Sequence, residues 1–149
     1  MKALSIAAVV CLGLIAGIFF AFTTSVLPGL HATDDATFVT AMRHLNAAIE
    51  NGLFLLVFAG ALLFPAVLAG LLARAGRPFA WVAAAAGLYL VVLVLTMVVE
   101  VPLNDRLADA AVSRADFESV WVPVNDLRTV LSTLALACLG RGMVAGWTR

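Results

Sequence analysis

Four long apolar runs govern what this chain can fold into: residues 4–26, 52–73, 79–99, and a shorter one centred on 129–140. An α-helix rises 1.5 Å per residue, so roughly 20 apolar residues cross the ~30 Å hydrocarbon core of a bilayer. The first three runs carry no charge, and the second contains only Pro65 as an interruption. A proline inside a transmembrane helix is tolerated where neighbours re-satisfy the carbonyl it frees. The chain is 64% hydrophobic and only 12% charged, against roughly 25% charge in ordinary soluble domains. It reads as an integral membrane protein, and its 149 residues form one domain, 1–149.

The first run is too long for a secretory signal and no Ala-x-Ala site follows it, so it is expected to remain as a span. The fourth is the difficult one. Its uncharged stretch is twelve residues, or about 18 Å. It must gain length either from residues 121–128 or by continuing past Arg141 to Trp147, with that arginine snorkelling. The expected spans are thus roughly 4–26, 52–73, 79–99 and 121–140. Short connections and an even helix count predict an all-α, up-down four-helix membrane bundle.

With four crossings, Lys2, Arg74, Arg77, Arg141 and Arg149 share one side, and the positive-inside rule makes it cytoplasmic. Both termini are then inside and the protein is a multi-pass plasma (inner) membrane protein. Every acidic residue except Asp126 falls in the outward connections, 28–51 and 100–120. Arg43, Arg106 and Arg114 also lie outward, so the asymmetry is moderate. A net charge of zero gives no electrostatic reason to expect nucleic acid. The bilayer and a lipophilic small molecule are the expected partners. Gly13, Gly17 and Ala21, at small-xxx-small spacing, would suit a homo-oligomer.

The first outer connection is patterned. Phe38, Met42, Leu45, Ile49, Leu53 and Leu56 recur at helical spacing and run into the second span. Helix two is therefore expected to begin near Ala36, behind a cap from Thr33, Asp34 or Asp35, and to extend beyond the membrane on the outer side. His44, Asn46 and Glu50 flank its apolar stripe.

The second outer connection contains a near repeat, VPLNDRL at 101–107 and VPVNDLR at 122–128. Pro102 would mark the end of helix three and Pro123 the first turn of helix four, with Asp126 complementing the positive end of that helix. Behind this punctuation lies a polar stripe: Trp121, Asn125, Arg128 and Ser132 stand at i, i+4, i+7 and i+11. An arginine at membrane depth normally faces the bundle interior and has a carboxylate partner. Glu50, Glu100 and Asp105 are available.

Four motifs now occur in order: AFTTSVLPGL at 21–30, MRHLN at 42–46, VPLND at 101–105, and WVPVNDLR at 121–128. Together they resemble the anthrone oxygenase-like family of small four-helix membrane proteins, whose members are mostly uncharacterised bacterial proteins. The resemblance spans 17 to about 139. It implies oxidation of a tricyclic phenolic ketone to an anthraquinone by dioxygen. It also implies a common site formed by His44, Asn46, Asn104, Trp121, Asn125 and Arg128.

Such chemistry needs a base for an acidic C–H activated by the ketone, and donors for the enolate oxygen that forms. His44 has a suitable ordinary pKa for the first task, and Arg128, Asn125 and Asn104 for the second. Trp121 offers a flat aromatic face, with Asn46 and Ser132 as further substrate contacts. No cofactor is expected, with dioxygen as co-substrate. A metal held by His44, Glu50 and Glu100, or a bound quinone, is the rival account. A non-catalytic structural or accessory protein is the alternative outside enzymology, but it leaves the polar stripe of helix four unexplained. Cys11 and Cys138 form no CxxC pair, and no ionisable residue stands mid-span in helices one to three as a transporter would require.

Overall fold

The computed structural model describes residues 1–147, with side chains described through Val144. The fold is all-helical, with helix over 89% of its residues. We number five helices: α1 (Lys2–His31), α2 (Asp35–Ile49), α3 (Gly52–Arg74), α4 (Ala80–Ala108) and α5 (Arg114–Trp147). All but α2 are long and apolar enough to cross a membrane. They pack as a ring in which α1 and α4 each lie between α3 and α5.

The interior is built from Leu12, Ile15, Ala61, Leu68, Val82, Ala85, Tyr89, Val92, Ala135 and Leu139. Its outer surface is also apolar, with Ile6, Leu14, Leu56, Leu63, Val94, Val98 and Leu134 exposed. In water that arrangement would be prohibitive, whereas hydrocarbon solvates it at no cost. Two small residues set the closest approaches. A Cβ on Gly60 of α3 would lie 2.9 Å from Cys11 Sγ of α1, and one on Gly142 of α5 would lie 2.8 Å from Val82 Cγ2 of α4.

The ends of the bundle differ in charge. Lys2 and Arg77 line one cleft beside Gly142, next to Arg74 and Arg141 in sequence. Arg149 lies outside the described residues. The acidic residues gather at the opposite end, which α2 covers. There Phe38 and Met42 are buried against Leu27, Leu103, Leu107, Phe117 and Trp121, a second core. Arg114 fastens this cover: it donates to the carbonyls of His31 and Thr33, pairs with Asp35 and Glu118, and stacks 4.5 Å over Phe38.

Four details depart from the sequence expectations. First, the helix that enters α3 is not continuous. It breaks at Glu50–Asn51, where Asn51 adopts an extended backbone, accepts the Phe54 N–H at 3.0 Å and caps a new helix starting at Gly52. Second, Pro102 does not end α4, which continues to Ala108. A π-turn at Thr96–Glu100 closes with the Val101 N–H on the Thr96 carbonyl, and this widened turn gives the proline ring room beside the turn before it. The same device precedes Pro28, where Phe22–Val26 form a π-turn closed by the Leu27 N–H. Third, Pro123 and Asp126 are not in a first turn, because α5 starts at Arg114. Pro123 and Ser119, whose carbonyl the proline leaves without its helical donor, are both exposed. Fourth, α5 gains length at both ends rather than one, reaching Trp147.

Candidate functional site: an aromatic cavity around a buried ion pair

Three elements bring polar groups into the apolar bundle at its acidic end. On α5, Trp121, Asn125 and Arg128 follow the helical repeat inward. On α4, Thr96, Glu100 and Asn104 recur every four residues on the facing side. On α2, Asn46 lies one turn beyond Met42. All seven line a cavity of about 150 Å³ whose walls are mostly Phe19, Phe22, Phe54, Phe58 and Trp121. Leu45 and Ile49 form its cover, and the exposed Leu55, Met97 and Glu50 mark its mouth, at the break between α2 and α3.

Arg128 is the centre of the arrangement. Its guanidinium is 4% exposed as a residue and lies 4.3 Å from the Phe19 ring and 5.6 Å from the Trp121 ring. One terminal nitrogen donates to Thr96 Oγ1 at 3.2 Å, the other to Asn125 Oδ1 at 3.0 Å. The second also stands 3.3 Å from Glu100 Oε1, an ion pair between two buried groups. Asn125 is fixed in turn, its amide nitrogen donating to Thr23 Oγ1 at 3.0 Å and to the Phe19 carbonyl at 3.3 Å. Thr23 itself donates to Asp126 Oδ1, so α1 and α5 are laced together beside the π-turn of α1.

Burying charge is costly unless every polar atom is satisfied. Here several are not. Both carboxylate oxygens of Glu100, which is 1% exposed, together with Arg128 Nε and Asn46 Nδ2, are buried without a hydrogen bond. All three residues line the one cavity. Buried polar groups gathered around an apolar hollow suit ordered water or a ligand that completes their hydrogen bonds.

Of the residues singled out from sequence, Asn46, Asn104, Trp121, Asn125 and Arg128 share this cavity. Asn104 accepts the Trp121 indole N–H at 2.9 Å, so the two asparagines of the repeat border one space but bond to different partners. Ser132 lies a turn deeper and returns its hydroxyl to the Arg128 carbonyl. His44 is exposed on α2 and is not among the cavity residues. Of the set His44, Glu50 and Glu100, the two glutamates line the cavity and His44 does not, and among the described residues no three His, Cys, Asp or Glu side chains could hold a metal ion together. Phe19, Phe22 and Thr96 were not anticipated. The spacing of Thr96, Glu100 and Asn104 was the available signal, hidden by ending the third span at residue 99.

Neither the curated proteins nor the solved structures compared with this chain gave a match. A family model described as anthrone oxygenase matches residues 54–138. That segment covers more than half of the sequence and holds Glu100, Asn104, Trp121, Asn125 and Arg128, and on it the chain belongs to the anthrone oxygenase family.

Proposed function

We propose that the protein is a membrane-embedded oxygenase that oxidises a lipophilic aromatic substrate of the anthrone or quinol type, with dioxygen as co-substrate and no cofactor. The observation that carries this reading is the cavity itself, an aromatic-walled hollow in an apolar bundle lined by Glu100, Arg128 and Asn46, each with a buried polar atom that makes no hydrogen bond. A flat tricycle suits the aromatic walls, and its oxygen atoms suit the unspent donors.

In this reading the enolate oxygen that develops on proton loss is met by Arg128, whose Nε is free and whose two terminal nitrogens are held by Thr96 and Asn125. Donors fixed in advance stabilise developing charge without reorganising, which is the main source of such catalysis. Asn46 Nδ2 is a second donor. Asn104, oriented by Trp121 through its oxygen, keeps its amide N–H groups for a ligand oxygen. The acidic end of the bundle faces outward and both termini face the cytoplasm, on the strength of the basic residues at the opposite end.

The test is oxygen uptake by the purified protein in lipid nanodiscs supplied with anthrone. One dioxygen consumed per anthraquinone formed, above the protein-free rate, is expected. Uptake no faster than the autoxidation background with anthrones and quinols alike would remove the enzymatic reading in favour of an accessory role.

A further inference from the structure

We propose that Glu100 is the general base of this cavity, the group that takes the C–H proton before dioxygen adds. The substrate class rests on the oxygenase reading above; the choice of residue rests on placement. Among the described residues, three titratable side chains line the cavity: Glu50, Glu100 and Arg128. Glu50 is exposed at the mouth. Arg128 keeps its proton in proteins and cannot act as a base. Asp126, the other carboxylate near the network, is held by Thr23 and faces outward. Among the described titratable residues of the lining, Glu100 is the enclosed carboxylate; its contact is the ion pair with Arg128, and neither of its oxygens accepts a hydrogen bond.

A base must offer a lone pair within reach of the proton it abstracts. The last position of the π-turn brings Glu100 to the cavity wall, with its carboxylate 3.3 Å from the Arg128 nitrogen that also donates to Asn125. The guanidinium then serves throughout the step. Negative charge leaves the carboxylate and appears on the substrate oxygen, while the positive charge beside both stays in place. Such a transfer changes the charge of the pocket very little, which suits a site walled from water.

The reaction balances with these groups. Glu100 removes one methylene proton of an anthrone, leaving the electron pair delocalised onto the ketone oxygen beside Arg128. Dioxygen adds at the methylene carbon and takes that electron pair, forming a C–O bond, and the resulting peroxide anion recovers the proton from Glu100. Glu100 then removes the second proton from the same carbon. The C=O bond forms as the O–O bond breaks, and the departing hydroxide takes that proton to become water. One anthrone and one dioxygen give one anthraquinone and one water.

Proton abstraction can be read apart from oxidation. Anthrone deuterated at its methylene is incubated with the protein in ordinary water under anaerobic conditions, and loss of deuterium above the protein-free rate is followed by mass spectrometry. The wild type should accelerate this exchange. Glu100→Gln should slow it by about 100-fold or more, the usual cost of removing a general base. Anthraquinone, which has no proton to give, should still bind the variant, as measured by quenching of tryptophan fluorescence, which shows that the cavity is folded. Glu100→Asp retains the charge beside Arg128 but withdraws the carboxylate by one methylene; it should also exchange slowly, and it carries the test if Glu100→Gln does not fold. Exchange at the wild-type rate in either variant overturns the proposal. A loss confined to His44→Ala would place the base on α2 and overturn it equally. Wild-type exchange without oxygen uptake in air would sink the oxygenase reading and leave the role of Glu100 standing. Oxygen uptake that survives Glu100→Gln would do the reverse.

Discussion

The Trp121 indole N–H donates to Asn104 Oδ1 at 2.9 Å and thereby ties the two copies of the Val-Pro-x-Asn-Asp repeat to each other across the acidic end of the bundle. Asn104 belongs to the first copy, and Trp121 directly precedes the second. The same indole is packed against Phe117, with ring centroids 6.0 Å apart, and forms a wall of the cavity.

A double-mutant cycle should measure this link. Asn104→Leu and Trp121→Phe each remove one partner, and their unfolding free energies in detergent should couple by about 1 kcal/mol, the net worth of one buried hydrogen bond. Strict additivity would mean that the contact contributes nothing to holding α4 and α5 together.

The Glu100–Arg128 pair should behave asymmetrically. Arg128→Met leaves a buried carboxylate without its cation and should destabilise by about 3–5 kcal/mol, while replacing both residues with apolar ones of similar volume should recover most of that loss. Chemical unfolding of both variants decides the matter. A double variant as unstable as the single one would show that the packing around Phe19 and Trp121, not charge, dominates.

Stability of α2 should depend on pH through its cap. The backbone N–H and hydroxyl of Thr37 both donate to the Asp34 carboxylate, at 3.0 and 2.6 Å, and these bonds hold its pKa below the usual carboxylate value. A depressed folded value means the contribution is complete above the unfolded pKa and is lost as pH falls through the lower, folded one. The protection of the α2 amides against hydrogen exchange, taken relative to their intrinsic rates, should therefore fall at acid pH. Asp34→Asn, which caps without a charge, should abolish that dependence. An unchanged acid profile in Asp34→Asn would assign the effect to another group.

Membrane orientation can be tested with single cysteines in a background lacking Cys11 and Cys138. Ser113→Cys, in the connection between α4 and α5 at the acidic end, should react with an impermeant thiol reagent in intact cells. Ala75→Cys, beside Arg74 and Arg77, should not. The opposite pattern would invert the proposed orientation and put the cavity near the cytoplasmic face.

The spans were legible because an apolar run of membrane length has few alternative readings, and the α5 stripe was legible because a 3.6-residue period holds wherever the helix begins. Trp121, Asn125 and Arg128 therefore reached the same wall despite a misplaced helix start. Helix ends were less legible. The stripe Phe38, Met42, Leu45, Ile49, Leu53 runs in phase through Asn51, so periodicity masked the break that an Asn-Gly pair signals. Pro102 and Pro123 read as boundaries, yet burial of Leu103, Leu107 and Phe117 sustains helix on the far side of each proline. His44 and Asn46 both looked like flank residues. Asn46 is one turn from Met42 and turns inward, whereas His44, two residues from Met42 and about 200° around the axis, turns to solvent.

The π-turn at Thr96–Glu100 joins two parts of α4 that pack into different cores. Below it, Val82, Ala85, Tyr89 and Val92 mesh with the rest of the bundle; above it, Asn104 and Leu107 meet the cover. One extra residue is stored at the joint, so the wide turn absorbs its rotation and the segment beyond keeps the phase of an α-helix one residue shorter. A single-codon deletion there would close the bulge and leave Asn104 beside the cavity, but it would take away the room that the Pro102 ring occupies. The joint is thus where α4 holds one residue more than the packing on either side requires, without turning the faces that meet the bundle and the cover.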